Sequence, residues 1–484
     1  METPHTKPVN HTQKVKSLQE FRSLHATTFL CGQFITGKST RYIISKLTSC
    51  LDEYTNDLRS SSDTPAQFQP LTYSPNEREE ISGIFHSRFF NSMHPDSYHQ
   101  HKAFYKDVKS YTISFEKEVH LAYKDEAISV LFDRLDLFFF PKGLLLYSFR
   151  MRQNGLTYDA ITYCNATFRA ITRYVNTRQE TEKLNVGEDF LSLFQPLICI
   201  HNVCLSNNSP QTIPAGDYSV STVKRYQELL KNGNKLKCFV VAEEDPAQEY
   251  PAGYTRENLL FDMATNCPIG ASIDPENPFH PSPDYYRQLV DNNKINYFWN
   301  WQGLALFDSF VVVLDRPQYY QLEAWHNEYF RFIYIHSLFV KNYLSEINKA
   351  FRKARPSIHL ADEFQAFDKI FNLHHISHNF LPQAIYEKIR IGLEIDSELE
   401  QLHVSLERES AKQEKQREQR MNLILAFVAL LAIFSSIKDG ADWFIALGWL
   451  PNEGSAYNLF TLIELVLVVV IPVGLYIRHK KLSK

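Results

Sequence analysis

Hydrophobic positions change their period several times along the chain, and each change predicts a different element. Between Ala127 and Arg152 two apolar runs flank Pro141-Lys142-Gly143, which predicts a β-hairpin closed by a short turn. If Phe140 faces Leu144, one face carries Leu135, Leu137, Phe139, Leu145, Tyr147, Phe149 and Met151, and that face is core. The other carries Phe138, Phe140, Leu144 and Leu146 near the turn, then Arg134, Asp136, Arg150 and Arg152 at the open end. Ala26–Cys31, Leu197–Leu205, Leu236–Ala242 and the β-branched end of Asn300–Leu314 read as further strands. Asn76–Asn91, Tyr158–Thr177, Gln321–Ala354 and Leu360–Phe380 follow helical spacing. Gln321–Ala354 is apolar over most of its surface, as in a helix buried between neighbours. Asp245–Tyr286 reads as loop-rich. Helices interspersed with strands predict an α/β domain over residues 105–318. A mostly helical region over 1–104, with a polar linker near 60–70, precedes it, and long helices forming a stalk over 319–420 follow.

The pattern changes character towards the end of the chain. Gln383–Arg420 holds helical spacing with no proline after its start and Gly392 as its one glycine, and it runs straight into the apolar stretch Met421–Ile437. A second apolar stretch, Tyr457–Ile477, is long enough to cross a bilayer as a helix, and the first becomes so with its flanks. Lys438–Ala456 is short, which predicts an antiparallel transmembrane hairpin over 421–484. Lys412, Lys415, Arg417 and Arg420 precede the first stretch and Arg478, Lys480, Lys481 and Lys484 follow the second, while Asp439, Asp442 and Glu453 sit between. The positive-inside rule then places both ends in the cytoplasm. Met1–Gln19 is polar and lacks the form of a signal peptide, so the large N-terminal part is expected in the cytosol. The fold class implied is an α+β/α membrane protein: an α/β cytosolic domain, a long stalk helix and a C-terminal two-helix hairpin, multi-pass in the inner (cytoplasmic) membrane.

Composition adds a few exclusions. The net charge of −4 averages over a basic C-terminal end and gives no reason to expect direct nucleic-acid binding. Seven scattered cysteines in a reducing compartment read as thiols. Cys199, His201 and Cys204 lack a fourth metal ligand at suitable spacing and read as core. Met93–His101 reads as a histidine-bearing surface loop, and His374, His375 and His378 as helix packing. Gly32–Ser39 satisfies the G-x-x-x-x-G-K-S expression of a phosphate-binding loop, which keeps a membrane-anchored nucleotide-binding protein as an alternative. Phe34, Ile35 and Thr36 crowd that turn, and no series of βα units follows it. Arg134, Arg150 and Arg152 converge on one patch that could hold an anionic ligand such as a phosphate, against a plain charge network with Asp136. No nucleophile–base set emerges, so an enzyme is not expected.

Within the first apolar stretch Asn422, Ala426, Ala429, Ile433 and Ser436 share one helical face. Small and polar residues in that pattern suit either a close helix contact or the wall of a water-filled pore. Two helices cannot enclose a conduction path, so a pore requires a ring of subunits, with Gly440 and Asp442 at its outer mouth. Glu464 lies inside the second stretch, where an ionisable group is costly.

This arrangement resembles the CorA-like divalent-cation channels, with Gly440-Ala441-Asp442 standing where that family carries Gly-Met-Asn and keeping only the glycine. The segments FDRLDLFFFPKGLLLYSFRMR, WNWQGLALFDSFVVVLD and EYFRFIYIHSLFVKNYL resemble the CorA-type membrane effectors of type III CRISPR systems. The resemblance implies a homopentameric cation channel or membrane-disrupting effector, gated by a nucleotide messenger of the adenylated S-adenosylmethionine class, in antiviral defence. An ordinary divalent metal transporter for Mg2+ is the alternative that the same resemblance implies.

Overall fold

The structure, a computed structural model, describes residues 18, 20–45, 67–94, 105–124, 126–169, 193–194, 196–197, 200, 235–353 and 358–448. Its organising feature is a nine-stranded sheet in the order β2-β3-β4-β5-β1-β6-β9-β8-β7. The strands are β1 (Ser23–Ile35), β2 (Gln67–Pro70), β3 (Lys109–Tyr123), β4 (Glu126–Phe140), β5 (Leu144–Arg152), β6 (Lys237–Glu244), β7 (Lys294–Phe298), β8 (Trp301–Ala305) and β9 (Ser309–Leu314). All pairs are antiparallel except β6 with β9. That parallel pair needs a crossover, and the helices α4 (Arg256–Thr265) and α5 (Pro283–Asn293) lie within it. The other helices are α1 (Pro75–Ile84), α2 (Ser87–Met93), α3 (Tyr158–Arg169), α6 (Tyr319–Glu323), α7 (Phe330–Lys353), α8 (Ile358–Phe371), α9 (Phe380–Gly392) and α10 (Ile395–Ala446).

The β4–β5 hairpin shows how alternation becomes layering. Phe140 pairs with Leu144, Phe138 with Leu146 and Leu135 with Phe149, and Lys142 and Gly143 turn the chain at positive φ. The face bearing Leu135, Leu137, Phe139, Leu145, Tyr147, Phe149 and Met151 joins one core with α3 and α4. The opposite face is covered by α7, where Phe140 stacks on Phe339 at 3.9 Å between ring centroids. Cross-strand stacking of Phe29, Phe239 and Phe310 continues that layer, and Tyr334 of α7 lies against Phe239. With both faces covered, the central strands read as the continuous apolar runs seen in β6 and β9.

Several expectations are corrected here. The sheet takes in β1, a longer strand around the expected Ala26–Cys31, and β2, both from the region expected to be mostly helical, and β3 pairs along nearly the whole of β4. Leu197 and Ile200 are helical, where a strand was expected. A π-helical turn, Ala324–Glu328, separates α6 from α7, so Gln321–Ala354 is not one helix. Gln383–Arg420 is not one helix either: α9 ends at Gly392, Glu394 sits at φ 56°, and α10 starts at Ile395. The cause is tertiary, because a Cβ on Gly392 would lie 2.3 Å from the carbonyl oxygen of Ala305 in β8. Gly392→Ala gains up to about 1 kcal/mol of helix propensity. Displacing a backbone carbonyl costs more, so a net loss of about 1–2 kcal/mol is expected in urea denaturation.

The membrane fold class and the multi-pass placement in the inner membrane are also corrected. Among the described residues no helix is long and apolar enough to cross a membrane. The seventeen residues of Met421–Ile437 span about 26 Å as a helix, short of the ~30 Å hydrocarbon core, and Arg420, Lys438, Asp439 and Asp442 flank them. Instead of a turn at Lys438, α10 continues to Ala446, so Gly440 and Asp442 are helical and form no loop mouth. Asn422, Ala426, Ala429, Ile433 and Ser436 lie on α10 and are exposed, with the Ser436 hydroxyl donating to the Ala432 carbonyl at 3.0 Å. Tyr457–Ile477 and Glu464 lie outside the described residues. By contact the chain divides into two units, Met1–Glu400 and Gln401–Lys484.

Candidate functional site

The three arginines expected to gather an anion are engaged with acids. A register shift in β4 between Phe132 and Arg134 leaves Asp133 beside β5. There it accepts from Arg150 through both carboxylate oxygens, at 2.6 and 3.0 Å, and pairs with Arg152 at 2.5 Å. Arg134 donates to Asp136 at 2.7 Å, and Arg331 of α7 binds the other oxygen of Asp136. Asp136 is fully buried; desolvation would raise its pKa, but Arg134 and Arg331 hold it down at about 2. The arrangement is an inter-layer ion network that ties α7 to the sheet.

The phosphate-loop pattern is likewise absorbed by the fold. Gly32 to Ile35 belong to β1, and Gly32 is small because it faces Tyr147, whose ring a Cβ would meet at 2.3 Å. Only residues 36–39 lie between strand and helix, too few to wrap a phosphate. The Thr36 amide and hydroxyl both donate to the Gly143 carbonyl, at 2.7 and 2.9 Å, fastening the segment to the hairpin turn. His374, His375 and His378 lie between α8 and α9 and not on a helix, with the His378 ring 3.8 Å from His86. Cys199, His201 and Cys204 lie outside the described residues. Among the described residues no group of three or more metal-ligating side chains assembles.

A site that composition did not reveal lies where α3, the end of β3 and the loop after α4 meet. It is a cavity of about 590 Å3 lined by Tyr123, Asp159, Tyr163, Asn266, Ile269 and Phe279 among others. The loop wall is built by Asp262, a fully buried carboxylate that accepts from the Tyr254 hydroxyl at 2.9 Å, the amides of Gly270 at 2.8 Å and Ser272 at 2.9 Å, and the Ser272 hydroxyl at 3.2 Å. Burial pushes Asp262 up to about 6 against the pull of those donors. Asp159 accepts from the Tyr123 hydroxyl, from Lys124 Nζ at 3.1 Å and from the Ile269 amide at 3.1 Å, which joins the hairpin, α3 and the loop. Burial and the neighbouring Asp159 carboxylate both hold the Tyr123 hydroxyl above its ordinary pKa.

Asn266 is the distinctive group in this cavity. It caps α4 at φ 53°, the left-handed conformation that asparagine tolerates better than most residues. Its amide nitrogen and oxygen are both shielded from solvent, and neither has a hydrogen-bond partner. Buried amides are ordinarily satisfied, and leaving one unpaired costs about 1–3 kcal/mol per group. Tyr123 and Tyr163 stand 5.1 Å apart beside it, and Phe279 is 59% exposed. Lys124 is balanced by Asp159, and Asp274 adds a further acid, so the lining does not favour a polyanion. A helix C-cap followed by Cys-Pro-Ile-Gly is the one sequence signal that marks this turn, and spacing alone does not show that the turn borders a cavity.

No family model, no curated protein and no solved structure matches the chain.

Proposed function

We propose that the protein is a ligand-responsive sensor and not an enzyme, and that the cavity beside Asn266 receives the heteroaromatic part of a nucleotide-class ligand. The observation that carries this reading is the aromatic-walled cavity bordered by Asn266, whose amide is shielded from solvent and makes no hydrogen bond. One donor and one acceptor on a planar amide match the N6 and N7 edge of adenine, and tyrosine rings offer the faces on which a base stacks. A lining that is not cationic suits a nucleoside moiety better than a run of phosphates. This agrees with the adenine-bearing messenger class that the sequence resemblance implies. The channel half of that resemblance is not carried forward, since it rested on the transmembrane hairpin. A homo-oligomer stays within the proposal, because a sensor that reports binding through association would need one.

The test is titration calorimetry of the full chain with adenosine and adenosine 5′-monophosphate. Asn266→Gly removes the amide while keeping a residue suited to positive φ. Binding is expected to weaken about 10- to 100-fold in that variant, the loss from one unmatched amide pair, with no fall in the denaturation midpoint because the unpaired amide is gone. Failure of both probes to bind, or equal affinity in the glycine variant, overturns the reading.

A further inference from the structure

On the face of the sheet that α7 covers, a second and smaller cavity of about 300 Å3 is lined by Gln33, Lys235, Lys237, Phe307, Asp308 and Asn342 among others. Its chemistry is the reverse of the first. Arg169 and Lys237 share one acid, Asp308, at 2.5 and 2.8 Å. Lys237 lies over the ring of Phe307 at 3.7 Å, and Lys341 approaches the same ring at 4.8 Å while pairing with Glu398 at 3.0 Å. Lys235 has no acidic partner among the described residues. Four cations therefore face two acids, Asp308 and Glu398.

Unspent hydrogen-bonding capacity accompanies the excess charge. Arg169 is 6% exposed; one terminal nitrogen is spent on Asp308, and its Nε makes no hydrogen bond. Lys237 uses two of its three donors, on Asp308 and on the Phe307 carbonyl. Burial first, and then Arg169 and Lys341, hold the Lys237 ammonium below its ordinary pKa, as happens where positive charge is under-compensated.

We infer that this cavity is an anion site for a single phosphoryl group, held by Lys235 and Lys237 with Asn342 at its wall, while Arg169 offsets the charge of Asp308. Two ammonium groups give the charge-assisted donors that a phosphate takes up. The volume is at the lower end for small-molecule sites, which fits a free phosphate or a small phosphomonoester. This inference does not rest on the nucleoside cavity, because the two share no lining residue.

The experiment is equilibrium binding of the full chain to inorganic phosphate and, separately, to ribose 5-phosphate, with acetate as a competing monoanion. Lys235→Met is the first variant, since that side chain is exposed and its loss breaks no ion pair. Lys237→Met is the second, checked by denaturation because Asp308 loses one partner. Each is expected to weaken phosphate binding about tenfold, with Asn266→Gly leaving it unchanged. Tighter binding of ribose 5-phosphate than of phosphate identifies an esterified ligand, and the reverse order identifies the free ion; either order supports a phosphoryl site. Absence of phosphate binding, equal competition by acetate, or retention of full affinity in the Lys235 variant overturns it.

Discussion

Acidification from pH 7 to pH 5 is expected to remove about 4–5 kcal/mol of stability, enough to unfold much of the population of a typical domain. Two buried histidines, His94 and His336, and the half-buried His326 drive the loss. Burial holds His94 and His336 at about 3 and His326 at about 4, each also opposed by nearby arginines. His94 sits among Tyr73, Phe90 and Phe332, and His336 among Phe89, Phe339 and Tyr386, with neither ring nitrogen of His336 hydrogen-bonded. Each folded pKa lies below the unfolded value near 6.5, so the native state resists a proton that the unfolded chain accepts. Their contribution is therefore complete above pH ~6.5 and falls by about 2 kcal/mol per histidine at pH 5. Asp262 acts in the opposite sense. Its folded pKa of about 6 is raised, so its penalty is present at pH 7 and recedes by about 1.3 kcal/mol over the interval from pH 7 to pH 5. Three histidines outweigh one aspartate. Urea denaturation at pH 7, 6 and 5 measures the slope, and His336→Leu should reduce the drop by about 2 kcal/mol. A flat profile between pH 7 and 5 overturns the account.

The second large effect concerns the ion network between sheet and helix. Arg331→Met is expected to cost about 3–5 kcal/mol, because Asp136 is fully buried and would be left with Arg134 alone. Arg331 itself is held below its usual pKa by desolvation, outweighing Asp136, which shows a guanidinium that its surroundings do not fully repay. Replacing Asp136→Leu together with Arg331→Met should therefore cost less than Arg331→Met alone. The depressed pKa of Asp136 contributes stability present above pH ~4 and lost as pH falls towards 2, below the histidine window. Denaturation of the single and double variants at pH 7 decides the matter, and a double variant weaker than the single one rules out this balance.

What the sequence disclosed was local. The pairing of Phe140 with Leu144 was legible because a three-residue turn leaves the register little choice. The alternation of Ile113, Phe115, Val119 and Leu121 in β3 was not read as a strand, and a register shift between Ser114 and Lys117 interrupts its period. Other features depended on distant partners. Arg150 and Arg152 find Asp133 only because of the shift in β4, and Gly392 ends α9 only because Ala305 stands against it. Apolar length misled at the other end of the chain, where Met421–Ile437 reads as a spanning segment until its charged flanks are counted. The cavity around Asn266 draws its walls from residues more than a hundred positions apart, so no window of sequence contains it.

The position of β1 at the centre of the sheet sets a schedule for synthesis. Leu30 is translated well before its neighbours Phe149 and Cys238. At about 5–20 residues per second, this apolar strand waits on the order of 10–40 s before both edges are hydrogen-bonded. During that interval the nascent chain presents an unpaired strand, so ribosome-associated chaperones should matter more to its yield than to that of a protein whose first strand lies at an edge.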